Sequence, residues 1–133
     1  MYRLVNEHRN NNGLSSYKVN NALEECAFEK SKHMSDYNYF DHRYNGQTWI
    51  DMYPEKYEGT SAWGENIAGR YTNYEKLYTE EECKTIAKNL FEQWKNSPGH
   101  NDNMLRSTFN SIGFGLYVNS SGEVYATQQF GRY

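Results

Sequence analysis

Three short stretches carry side chains beyond what folding requires: Phe40-Asp41-His42, Gly64-Glu65-Asn66-Ile67-Ala68 and Asn96-Ser97-Pro98-Gly99-His100-Asn101-Asp102-Asn103-Met104-Leu105. A neutral imidazole can ligate a borderline divalent metal or move a proton, and a nearby carboxylate can orient metal-bound water or accept that proton. Zinc is the natural metal for such a set. His42 and His100 are far apart in sequence, however, so their spacing is no metal signature of the local two-cysteine, two-histidine kind. Plainer roles stand beside these. Glu65 can accept backbone N–H bonds and pin a loop, and the two imidazoles can tie loops together across an empty cleft. Ser97 lies near His100, but no third orienting group or oxyanion hole accompanies it, as a serine hydrolase would need.

The remaining polar and aromatic residues divide by position. His8, on an otherwise apolar helix face, and His33, on a second helix, read as structural. Asn101 and Asn103 follow a glycine-histidine turn, where their amides can cap backbone groups and hold His100 in place. Gln128 sits on a half-buried strand and can either bond the site from beneath or face water. Tyr71, Tyr74 and Tyr78 could form a platform for a sugar or peptide, although most tyrosines pack while keeping the hydroxyl wet.

These residues must be positioned by elements that the apolar pattern outlines. Leu4, Val5 and His8 share one face of a short first helix, which Asn10-Asn11-Asn12-Gly13 ends. Asn20 or Asn21 caps a second helix, whose face of Ala22, Leu23, Cys26, Ala27, His33, Met34 and Tyr37 runs to about Ser35. Residues 38 to 62 read as a long loop holding one short helix around Trp49, Ile50, Met52 and Tyr53, and Trp63 to Tyr71 reads as a strand. Thr79 and Glu82 have capping-box spacing ahead of Ile86, Ala87, Leu90, Phe91 and Trp94, which predicts a helix ending at Pro98-Gly99. On that helix Glu92 falls nearly opposite the apolar stripe and should face water, whereas Ser97 falls near its edge. Alternation over Ile112 to Val118 and over Glu123 to Phe130, joined by Asn119-Ser120-Ser121-Gly122, predicts a closing hairpin.

The bulk composition narrows the function classes. The 133 residues suit one domain, 1–133, with no internal repeat or linker. A net charge of −3 with both signs interspersed offers no face for phosphate backbones, which argues against nucleic acid. The mean hydropathy is −1.04, yet 17% of the residues are aromatic, so the chain is polar but ordered. No apolar stretch approaches the roughly 20 residues of a transmembrane helix. The opening Met1 to Arg9 lacks a signal peptide's apolar centre and looks amphipathic, as though the chain begins inside a folded element from which a leader or anchor was removed. Cys26 and Cys83 are compatible with a disulfide or with free thiols, and neither sits in a loop-rich disulfide framework, so unpaired thiols are expected.

Together the three stretches, the opening Leu4-Val5-Asn6-Glu7-His8-Arg9 and the closing Thr127-Gln128-Gln129-Phe130-Gly131 resemble the bacterial branch of the CAP superfamily of cysteine-rich secretory, antigen five and pathogenesis-related proteins. Each piece is weak alone, but five in order cover nearly the whole chain. The resemblance implies an α+β fold, a three-layer α-β-α sandwich with a central antiparallel sheet, exported to the cell surface or beyond. It also implies a cleft with His42 and His100 as metal ligands, Glu65 as the first carboxylate, and Ser97, Asn103 and Gln128 along its lining. Many eukaryotic members carry a second glutamate three residues after the long helix's tryptophan; here that residue is Ser97. The expected function is a binding module, monomeric or part of a larger surface protein, that holds a divalent cation, zinc first, and a small ligand, lipid or peptide. The alternative is a metal-dependent hydrolase of the same cleft, with Glu65 as general base, and a third reading is an interaction module with a vestigial cleft.

Overall fold

The computed structural model describes residues 1–72 and 79–133 together, without the side chains of residues 70–72. Tyr74, Tyr78 and the side chain of Tyr71 therefore lie outside the described residues. The elements run α1 (Tyr2–Asn11), β1 (Lys18–Val19), α2 (Asn21–Asp36), α3 (Trp49–Met52), a 3₁₀ turn (Pro54–Tyr57), β2 (Trp63–Thr72), α4 (Glu80–Lys95), α5 (Pro98–Leu105), β3 (Ser111–Val118) and β4 (Glu123–Gly131).

The predicted caps form. Asn20 Oδ1 accepts from the Leu23 N–H at the start of α2, and Thr79 with Glu82 closes a reciprocal capping box on α4. Sequence reasoning missed α5, read as a turn, because its eight residues carry almost no apolar periodicity and only Met104 among them is buried. It also missed the tight turn Tyr44-Asn45-Gly46-Gln47 in the long loop. There Asn45 and Gly46 adopt φ of 50° and 80°, and Tyr44 and Gln47 exchange backbone hydrogen bonds at 2.9 and 3.1 Å. Asn-Gly is the pair that such a turn favours.

The sheet has the order β1-β3-β4-β2, with β2–β4 and β4–β3 antiparallel. The expectation of a wholly antiparallel sheet needs one correction: β1 joins β3 in parallel. Two residues held only by backbone bonds, such as Lys18 N–H to Asn110 O at 2.9 Å, leave no pattern in the side chains.

Helices cover both faces. α2 lies across β3 and β4, and this close approach explains Gly113 and Gly115. A Cβ at Gly113 would come within 2.2 Å of the Glu24 nitrogen, and one at Gly115 within 2.1 Å of the Phe28 nitrogen. The opposite face packs on α1, α4 and α5 through a core that includes Val5, Leu90, Trp94, Met104, Ile112 and Phe130. Trp94 Nε1–H donates to Ile67 O at 3.1 Å and ties α4 to β2. Glu92 faces water. Cys26 is buried, Cys83 exposed, and both are free thiols.

Candidate functional site

β2 is an edge strand, and successive residues of a strand point to opposite faces. Glu65 and Asn66 therefore serve two different layers, and each has a glutamine opposite it on β4: Glu65 pairs with Gln129, and Asn66 with Gln128. Two polar ladders result.

On the α2 face, Glu65 Oε1 and His42 Nδ1 lie 3.0 Å apart, and Gln129 Nε2 donates to Glu65 Oε2 at 3.0 Å. The Tyr57 hydroxyl in turn donates to Gln129 Oε1. The Glu65 side chain is 1% exposed and the His42 side chain 48% exposed, so a buried carboxylate holds an open imidazole by one nitrogen.

On the other face, Asn66 Nδ2 donates to His100 O at 3.0 Å and to Gln128 Oε1 at 2.9 Å. Asn103 Nδ2 donates to Asn66 Oδ1 at 2.9 Å and to Glu65 O at 3.4 Å. The fully buried Gln128 turns its amide nitrogen toward the sulfurs of Met1 and Met104. Gln128 thus lies beneath the His100 half of the site, and its neighbour Gln129 beneath the His42 half. The His42 ring and the His100 backbone carbonyl are thus bonded by adjacent residues of one strand, Glu65 and Asn66, although 57 residues lie between the histidines in sequence. Burial lowers the His100 pKa, and the nearby His42 charge lowers it further, which favours the neutral imidazole.

The loop carrying His42 is fastened by a buried cation. Lys30, fully buried on α2, donates from Nζ to Asp41 O at 2.8 Å, Tyr39 Oη at 3.2 Å and His42 O at 3.3 Å. Burial lowers the Lys30 pKa, while the charges of Glu65 and Asp41 act in the opposite direction. Sequence reasoning missed Lys30, although a signal was present. Lys30 follows Cys26 by four residues and precedes Met34 by four, on the stripe that the apolar residues mark as buried. Gln129 and Asn66 were also missed, because on a strand covered on both faces alternation no longer separates inside from outside; Tyr57 was missed because it ends a short 3₁₀ turn inside the stretch read as a loop.

Other candidates are placed differently. Ser97 is the N-cap residue of α5 but makes no side-chain capping bond. Asn101 Oδ1 lies 2.7 Å from His8 Nε2, so this asparagine ties α5 to α1. His33 Nδ1 lies 2.7 Å from Tyr39 Oη, among the rings of Tyr37, Tyr39, Tyr44 and Trp49. Both histidines have structural surroundings.

Comparison with known proteins identifies the fold and the family. The chain is 35% identical over 131 residues to the uncharacterized protein YkwD of Bacillus subtilis (strain 168), covering 96% of this chain and 44% of YkwD. The crystal structure of an extracellular SCP-domain protein from Bacillus anthracis superposes with a TM-score of 0.77 at 28% identity, over 99% of this chain and 39% of that one. This chain therefore spans less than half the length of either Bacillus protein. An outer surface protein of Borrelia burgdorferi shares the fold with a TM-score of 0.78 at 18% identity, over 98% of this chain and 88% of its own. The family model described as CAP, cysteine-rich secretory protein family, matches residues 2–130, and the chain belongs to that family.

Proposed function

We propose that this CAP domain is an extracellular or cell-surface binding module, part of a longer protein, whose His42–His100 cleft takes a divalent cation, zinc first, together with a small ligand or peptide. The observation that carries the reading is the state of Glu65: its side chain is almost wholly buried and both oxygens have partners, His42 Nδ1 and Gln129 Nε2. A general base must reach the water it deprotonates. A carboxylate behind a histidine instead fixes the ring and raises the basicity of its free nitrogen, the usual support of a metal-ligating imidazole. The same placement disfavours the hydrolase reading.

The donor set fits a labile cation. His42 and His100 would supply two nitrogens, and among the described residues no group of three His, Cys, Asp or Glu side chains is arranged to enclose an ion. Such a site leaves coordination positions to water or ligand, unlike a closed structural zinc centre. A bound zinc would supply a Lewis acid that grips an anionic or carbonyl group of the ligand. Glu65 and Gln129 would orient His42, and Asn66 and Asn103 would hold the backbone that carries His100.

The surface location is supported by the Bacillus anthracis relative, an extracellular protein. No helix among the described residues is long and apolar enough to cross a membrane. The test is thermal unfolding with and without added Zn²⁺. At 100 times the dissociation constant the wild type should gain about 2.7 kcal/mol, and the His42→Ala, His100→Ala double variant nothing. An equal response of the two proteins overturns the cation site. Reproducible peptide or ester hydrolysis that Glu65→Gln abolishes while zinc stabilisation persists overturns the binding-module assignment.

A further inference from the structure

Away from this cleft, a cavity of about 310 Å³ opens between the chain that follows α1 and the segment that links α5 to β3. Its walls include Arg9, Ser15, Ser16, Ser107, Asn110 and Arg132, and no aspartate or glutamate. In a protein of net charge −3, a cavity walled by two guanidinium groups and no acid is a local reversal of sign.

Arg9 is 3% exposed, and a guanidinium at that depth needs compensation. Part of it is internal. Nε donates to Ser15 O at 2.7 Å, Nη1 donates to Met104 O at 3.0 Å and to Arg106 O at 3.1 Å, and the group lies 3.7 Å from the centre of the Tyr17 ring. All of these partners are neutral at physiological pH, where burial holds the Tyr17 hydroxyl protonated with a pKa pushed up to about 12. Among the described residues no carboxylate lies within ion-pair distance of Arg9 or Arg132. Arg132, also in the walls, donates from Nη1 to Thr108 O at 3.3 Å. A buried guanidinium, an exposed one and serine residues in the walls of one cavity form the kind of donor set that planar or tetrahedral oxyanions prefer.

We infer that this cavity is a binding site for a phosphate-type oxyanion, free or borne by a larger molecule, distinct from the histidine cleft. Its volume lies at the lower end of small-ligand sites, which suits a single anionic group with a small substituent. Arg9 supplies the deep, oriented donor and Arg132 the outer one.

The experiment is titration of ¹⁵N-labelled protein with inorganic phosphate at pH 7, with ionic strength held constant by sodium chloride. Saturable shifts are expected at the amides of Ser15, Ser16, Ser107, Asn110 and Arg132, with affinity weakened at least fivefold in Arg132→Gln. Arg132 is exposed, so this variant tests the site without risk to the fold. Arg9→Lys keeps the charge but not the fork and should weaken binding as well; its circular dichroism shows whether it folds. The His42→Ala, His100→Ala variant should bind phosphate as the wild type does, which separates this site from the proposed cation cleft. A second arm uses phosphatidylglycerol vesicles. Sedimentation with vesicles that Arg132→Gln abolishes would make the anion a lipid headgroup, and phosphate saturation without vesicle binding would make it a soluble phosphate. Shifts that grow linearly without saturation, that scatter over other surface lysines and arginines, or that persist unchanged in Arg132→Gln overturn the inference.

Discussion

Replacing Lys30 by Met tests whether a buried charge holds the His42 loop or is merely tolerated beneath it. The variant keeps the length of the side chain and removes three N–H donors, those now directed at Asp41 O, Tyr39 Oη and His42 O. Two large effects oppose each other. Hydrogen bonds made by a charged donor contribute about 1.5–3 kcal/mol each, whereas keeping an ammonium out of water costs several kcal/mol. Were the orphaned carbonyls to stay buried, they would add about 1–3 kcal/mol each. Asp41 and His42 are exposed residues, however, so the loop can swing out and let water take the place of Nζ. The net loss should therefore be modest, about 1–2 kcal/mol, or roughly 3–8 °C in Tm for a chain of this length. The local change should be the larger one: faster amide exchange over residues 39–44 and a changed environment for the His42 ring, with α4 and β3 unaffected. Urea titration and hydrogen exchange followed by NMR measure both. A variant as stable as the wild type, with unchanged exchange over residues 39–44, would refute the argument that Lys30 pins the site.

Gly115→Ala should destabilise by about 3 kcal/mol or more, because the new methyl would sit 2.1 Å from the backbone of Phe28 and α2 would have to lift off the sheet; a shift in the urea midpoint reads this directly. His33 provides a pH test. Burial, then the charge of Lys30, holds its folded pKa below the usual 6.5, with Asp36 acting in the opposite direction, and Tyr37, Tyr39, Tyr44 and Trp49 complete its surroundings. The unfolded chain therefore takes up the proton first. Its contribution to stability is complete above about pH 6.5 and declines as the pH falls through the lower folded value, so His33→Phe should flatten the stability profile between pH 7 and pH 5. A variant with the wild-type slope would remove His33 as its source.

The sequence by itself determined the elements whose residues carry their own periodicity or caps. Thr79 with Glu82 set the start of α4, Ile86 to Trp94 set its buried face, and alternation over residues 112–118 and 123–130 set the hairpin. These are local signals, complete within a few turns of chain. The order of five motifs did the same for the family. Only the tertiary structure decided what those signals serve. Gly113 and Gly115 read as gaps in a strand until α2 lies on them. Gln128 and Gln129 are adjacent in sequence and identical in chemistry, yet one supports the His100 half of the site and the other the His42 half, because the sheet is covered on both sides. Burial left both oxygens of Glu65 bonded within the fold, to His42 and Gln129, and Lys30 became a fastener because the loop around His42 folds over its ammonium. The chemistry of these polar side chains depends on which partner is within 3 Å, a relation between residues distant in sequence that no local pattern encodes.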